Sequence, residues 1–295
     1  MPHDPIIKQG SAQVASSALP QLWIADYVGK ASETSSGTAW TSVSLRVSCN
    51  PLPDGGFLFA DAITISDRGI WSSVDEYTET VDALAGELDW IAQTLRSLEH
   101  GEWSRPTLLI PVESTPNWTI QELAGHIGFA MNMVDTLFSQ ELETPPALDR
   151  VSFFDQPKGL IAPLAYHTAR DTVATMSSAE TLDYCLKGFS TAVVKAREAD
   201  PAFVGWTVLG TIRTDEFLDT RIVEAVVHGL DLAQALDRAA TPSGQAVKRT
   251  AEVLDTLHRR QRNGTRPESL ADDWLWVQVA AGRRHHDDLP TPLLS

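Results

Sequence analysis

From Val74 onward the apolar positions fall into helical periods. Val74, Tyr77, Val81, Leu84, Leu88, Ile91, Leu95 and Leu98 recur at alternating spacings of three and four, one face of a long helix. Ser73 with Glu76 has the form of a capping box at its start, and Glu99-His100-Gly101 marks its end. A second helix starts at Thr119, with Glu122 completing another capping box, and its seam is Ile120, Leu123, Ile127, Ala130, Val134 and Leu137. A third begins at Ser177 with Glu180; Leu182, Cys185, Phe189, Ala192 and Ala196 form its seam and Asp200-Pro201 stops it. A fourth runs from about Asp215 to Asp237. A further helix spans roughly 245 to 261, and a last short one runs from Ala271 to Ala281. The segment Gly282 to Pro290 reads as loop. Four long helices with capped starts and apolar seams predict an all-α protein built on a four-helix bundle. The connection between the second and third helices reaches about residue 176 and holds Phe153, Phe154, Pro157, Pro163 and Tyr166. A structureless loop of that length is unusual, so it is expected to contain short elements or to act as a lid, and it allows a crossover.

The first 70 residues are different: rich in Ser, Ala, Thr and Gly, with no helical period. Val43, Leu45 and Val47 alternate with polar residues, Pro51 to Gly56 is turn-forming, and Phe57, Phe59, Ile63 and Ile65 follow. This pattern fits a β-hairpin, and a loose N-terminal extension fits it as well. The expected organisation is therefore an N-terminal extension over 1–71, a bundle over 72–240 and a short C-terminal helical segment over 241–295.

Composition narrows the function classes. The chain has 295 residues, 43% hydrophobic and 21% charged, ordinary values for a globular protein. A formal charge of −16 argues against nucleic acid and against an anionic membrane surface as partners. No apolar run approaches the roughly 20 residues that cross a bilayer, and the N-terminus lacks the basic-then-apolar pattern of a signal peptide. A cytoplasmic protein is the expectation. Two cysteines without a CxxC, Cys49 and Cys185, argue against a Cys-rich zinc site and a disulfide framework. Cys185 falls on a helical seam and reads as core.

Candidate chemistry sits on two of the helices. On the fourth, Arg221, Glu224, His228 and Asp231 are spaced three, four and three, forming one polar stripe on a helix otherwise apolar nearly all round. From periodicity alone the stripe reads as the helix's narrow solvent face, with a buried polar site as the alternative. On the second helix, His126 stands at the edge of the apolar seam, facing the bundle. Bundles build metal sites from inward side chains on facing helices, and His126, Glu224 and His228 would make a two-His, one-carboxylate set suited to a divalent metal with an open position. His167, in the long connection, is a candidate pocket residue; His258, His285 and His286 have no ligand spacing, and Trp118 reads as packing.

The segment Trp118-Thr119-Ile120-Gln121-Glu122-Leu123-Ala124-Gly125-His126 resembles the entry motif of DinB/YfiT-like bundles, and within them the mycothiol-dependent maleylpyruvate isomerase family. Arg221 to Leu232 is similar to that family's R-x-x-E-x-x-x-H-g-x-D-l signature. Trp274 to Leu294, with Ala281-Gly282-Arg283, resembles the closing segment of many actinobacterial members. The resemblance covers about 72–295. It implies a DinB/YfiT-like four-helix bundle in which His126, Glu224 and His228 bind a divalent metal, zinc, with mycothiol as thiol cofactor or co-substrate. Arg221 and Asp231 then stand where residues supporting those ligands belong, or form a plain salt bridge. The chain departs from the family pattern in its N-terminal 70 residues and in the apolar stretch Leu108 to Val112, and its C-terminal part is short beside a full second domain.

The resulting expectation is a cytoplasmic, metal-dependent thiol transferase or isomerase. Its partners are a small-molecule thiol and an electrophilic substrate, and it is a monomer or homodimer. The competing expectation is a bundle that binds metal or thiol without turnover, as sensor or carrier.

Overall fold

The computed structural model describes residues 22–34, 37–51, 57–64, 74–109, 116–139, 142–156 and 158–294. Ser73 of the first expected capping box, the turn at 52–56, Ile65 and the stretch Ile110 to Val112 lie outside the described residues. The chain divides into two compact units, Met1–Trp71 and Ser72–Ser295.

In the first unit, β1 (Leu22–Thr34), β2 (Gly37–Pro51) and β3 (Phe57–Thr64) form an antiparallel sheet in the order β1-β2-β3. The β2–β3 pairing, Leu45 with Ile63 and Cys49 with Phe59, is a hairpin over the alternating pattern of the sequence. β1 adds a strand that the alternation around residue 45 did not announce.

The second unit is helical. Its four long helices are α1 (Val74–Arg96), α2 (Ile120–Leu137), α4 (Ser178–Glu198) and α5 (Thr214–Ala235). α1 packs against α4 and α5, and α2 against the same two, so α1 and α2 stand diagonally. The chain thus crosses the bundle between α1 and α2 and again between α4 and α5, whereas α2 and α4, joined by the long connection, are neighbours. Both complete capping boxes, Thr119/Glu122 on α2 and Ser177/Glu180 on α4, lie where the sequence placed them. In each, the hydroxyl accepts the third backbone N–H and the glutamate accepts the cap's own N–H.

Two elements differ from the sequence expectation. The long connection holds a sixteen-residue helix, α3 (Lys158–Val173), with Pro163 inside it. Between α4 and α5 stands a two-stranded antiparallel hairpin, β4 (Val204–Thr207) and β5 (Gly210–Arg213). The chain before α3 runs along it: the N–H groups of Ala147 and Leu148 both donate to Thr211 O at 2.9 Å. Beyond α5, α6 (Gly244–Arg262) lies on α1 and α5, and α7 (Asp273–Ala280) packs on α6. Leu84, Leu88, Ile91, Leu123, Ile127, Phe217, Ile222, Val226, Leu254 and Trp276 belong to one continuous core. Among the described residues no helix is long and apolar enough to cross a membrane.

Candidate metal centre

The polar stripe of α5 faces inward. Arg221 and Asp231 are 2% and 4% exposed, and the Glu224 and His228 side chains keep only 20% and 15%. α2 brings His126 against them. Its Nε2 lies 3.4 Å from Glu224 Oε2, and His228 Nε2 lies 3.3 Å from the same oxygen. One donor atom from each of the three residues lies within 4.8 Å of the others.

Those distances bear on what the cluster is for. Charge-assisted N–H···O contacts are usually about 2.7–2.9 Å, so 3.3 and 3.4 Å are long for direct hydrogen bonds. Ligand atoms about 2.0–2.2 Å from a tetrahedral ion stand roughly 3.4 Å apart. The donor set, two imidazole nitrogens and one carboxylate oxygen, suits a divalent ion and leaves a fourth position open. The residues present therefore fit a metal.

Two glycines allow the helices to close around the cluster. A Cβ on Gly125, the residue before His126, would stand 2.4 Å from Val173 Cγ1 of α3. A Cβ on Gly229, the residue after His228, would stand 2.5 Å from Trp90 Cζ3 and 3.3 Å from Glu87 Oε1 of α1. Each histidine is thus held beside a helix crossing too close for a side chain. Trp118, at the entry to α2, completes a cluster of rings, 5.0 Å from His126 and 6.4 Å from His228 between centroids.

The two histidines are supported differently. His228 Nδ1 lies 2.9 Å from Asp231 Oδ2. Both Asp231 oxygens also accept from Arg283, Oδ1 from Nε at 2.7 Å and Oδ2 from Nη2 at 2.8 Å. His126 Nδ1 is buried with no hydrogen-bond partner among the described residues.

The electrostatics follow this asymmetry. Burial works against a charged His228 ring, but Asp231 and Glu224 outweigh it and raise its pKa to about 9. Burial wins at His126 and lowers its pKa, with Glu224 opposing. Glu224 is desolvated too, yet the two imidazoles and the Arg221 charge hold its carboxyl well below the usual range. Asp231 is likewise lowered: burial raises it, and Arg283 and His228 more than compensate.

Arg221 does not touch Glu224. Its guanidinium lies 5.1 Å from the Phe153 ring centroid and 4.6 Å from that of Phe217, with Nη1 donating to Ala130 O at 3.1 Å. No carboxylate among the described residues stands within ion-pair distance of it. It acts on Glu224 through space, in a low-dielectric interior where such fields are strong.

A cavity of about 180 Å³ opens on the cluster, lined by Glu224 and His228 with Phe154, Val223, Val227, Arg283 and Leu294. Phe154 comes from the long connection, which is fastened to α5 by Arg150: its N–H donates to Glu216 and its guanidinium to the buried Asp219. His167 does line a pocket, but a different one, with Thr119, Glu122, Arg170 and Asp171. His258 packs edge-on against Trp276 in the C-terminal core, and His285 and His286 pair with neighbouring aspartates. Sequence reasoning missed Phe154 and placed Trp118 only as packing; the aromatic run Phe153-Phe154 in the long connection was the available signal.

Fold and cluster together define a helical bundle carrying two histidines and a glutamate in facing positions of its core. The family model for the mycothiol maleylpyruvate isomerase N-terminal domain matches residues 84–233, which include the whole cluster, and the chain belongs to that family. A solved structure described as the mycothiol-dependent maleylpyruvate isomerase is 16% identical, over 61% of this chain and 69% of that one, with a TM-score of 0.44. The structure of a histidine-to-alanine mutant of that enzyme is 15% identical over the same shares, also at 0.44. No curated protein matches the chain.

Proposed function

We propose that this protein binds a divalent metal, zinc, through His126, Glu224 and His228, and uses it to activate the thiol of mycothiol against a small electrophile. The observation that carries the reading is the convergence of three donor atoms, from two helices, within 4.8 Å of one another, with each histidine nitrogen 3.3–3.4 Å from the shared Glu224 oxygen, a spacing suited to ligands of one tetrahedral ion. Membership of the mycothiol maleylpyruvate isomerase family supports mycothiol as the thiol.

When bound, such a metal holds a coordinated thiol deprotonated at neutral pH. The protein's own part is orientation and environment. Asp231 accepts a hydrogen bond from Nδ1–H of His228, which leaves Nε2 as the nitrogen that would face a metal. Glu224 supplies one negative charge, and the buried Arg221 sets a positive field that favours further anionic ligands. Phe154, Val223, Val227 and Leu294 wall the cavity with apolar surface, keeping water from competing with the sulfur. The thiolate sulfur would add to a carbon–carbon double bond conjugated to a carbonyl: the sulfur lone pair forms the S–C bond as the π pair moves onto the carbonyl as an enolate. In a transferase the enolate carbon takes up the proton the thiol lost and the S–C bond persists; in an isomerase the former double bond, now single, rotates, and return of the enolate pair re-forms it and expels the thiolate.

The test is thiol chemistry dependent on metal. Zinc-loaded protein is mixed with mycothiol and either maleylpyruvate or a panel of neutral electrophiles. Isomerisation or thiol consumption that stops with chelator and returns with zinc is expected. Stoichiometric zinc without turnover on any substrate would favour the non-catalytic metal- or thiol-binding alternative.

A further inference from the structure

Arg283 lies outside the family match and 52 residues from Asp231, on the turn that follows α7. It nevertheless completes a chain of contacts into the cluster: Arg283 to Asp231 to His228 to Glu224. We infer that Arg283 is a positioning residue for the metal site, acting through Asp231 to fix the His228 ring.

The geometry carries this. Asp231 is a carboxylate with a side chain 3% exposed, and a charge so buried requires a partner. Arg283 meets it with the planar two-donor fork that matches a carboxylate, at 2.7 and 2.8 Å. Its remaining terminal nitrogen, Nη1, donates to Ala281 O, which ties the guanidinium to its own turn. The turn is itself anchored. The N–H groups of Arg283 and Arg284 both donate to Gln278 O, while those of Leu293 and Leu294 donate to Ala280 O. Leu289 and Leu293 are buried. The guanidinium therefore arrives at Asp231 from a fixed frame rather than from a free tail.

The consequence is a carboxylate with one orientation. Asp231 Oδ2 faces His228 Nδ1, and neither oxygen is left to rotate toward the cluster as a competing ligand. Among the described residues His126 has no hydrogen-bonding support of this kind for its Nδ1, so a hydrogen-bonded hold on a ligand ring is found on the His228 side. Arg283 and Leu294 also line the cavity beside Glu224 and His228, which places the segment after α7 at the wall of the site.

This inference rests on the metal reading above, and the experiment separates the two. Zinc affinity is measured by competition with a fluorescent zinc indicator for wild type, Asp231→Asn, Arg283→Ala, Arg283→Lys and the Asp231→Asn/Arg283→Ala double variant. Thermal unfolding in excess chelator is measured alongside. Partners of metal-bound histidines are typically worth 10–100-fold in affinity. The expected result is a loss of about that size for Asp231→Asn and for Arg283→Ala, a smaller loss for Arg283→Lys, and a double variant no weaker than the worse single one. A purely structural Arg283 would lower the unfolding temperature in chelator while leaving zinc affinity at the wild-type value in Arg283→Ala and Arg283→Lys; that outcome overturns this inference alone. Wild-type protein that takes up no zinc overturns the metal reading, and this inference with it.

Discussion

Glu87 of α1 accepts the backbone N–H of Ser243, 156 residues away, at 2.8 Å. Ser243 is the N-cap of α6 and makes no side-chain cap of its own, so a carboxylate from another helix satisfies this helix start. The other carboxyl oxygen, Oε1, is buried without a hydrogen-bond partner among the described residues. Burial dominates, and it raises the Glu87 pKa to about 7 despite the Ser243 contact.

A pH-dependent stability follows. The folded protein holds the Glu87 proton more tightly than the unfolded chain, whose carboxyl titrates near 4.5. The stability tied to the neutral acid is fully present below about pH 4.5 and is lost as pH rises through about 7. Glu87→Gln keeps the shape and removes the titration. The stability of the variant minus that of wild type is expected to grow between pH 5 and pH 8, by roughly 3 kcal/mol at most. Denaturant melts at both pH values measure it; a difference that stays flat across the range would contradict the assignment.

Gly125 and Gly229 test the close helix crossings around the cluster. Alanine in a helix interior gains roughly 1 kcal/mol over glycine, whereas overpacking costs about 1–3 kcal/mol. At Gly229 the new Cβ would stand 2.5 Å from Trp90, and at Gly125 2.4 Å from Val173, so the steric cost wins. Both alanine variants are expected to melt below wild type and to bind zinc more weakly. Gly244, where a Cβ meets nothing within 4 Å, is the control: Gly244→Ala should leave the melting temperature unchanged or raised.

Cys185 is expected to be inert in the folded state. It is fully buried, its sulfur lies 3.1 Å from Ala124 O, and burial pushes its thiol pKa up to about 12. In a Cys49→Ser background, a thiol-labelling reagent should modify Cys185 only after denaturant is added. Labelling of native protein at the rate of a free thiol would show that this part of the core opens.

The sequence reveals what is local and conceals what is tertiary. The α2 and α4 starts are legible because a capping box is written within four residues. α3 was hidden by Pro163, which breaks an otherwise helical pattern, and β4–β5 by four-residue strands too short to show a period. The stripe Arg221, Glu224, His228 and Asp231 was visible, but whether it faced water was not. That depends on α2, Phe153 and Arg283, each brought in from elsewhere in the chain. The Arg283–Asp231 pair has no local signature at all.

The most direct measurement of the central claim is metal content by elemental analysis of the purified protein, beside His126→Ala and His228→Ala. About one divalent ion per chain in wild type, and a large loss in both variants, is the result expected from the converging donors of α2 and α5. Wild type that carries no stoichiometric ion, or variants that keep it, would contradict the account.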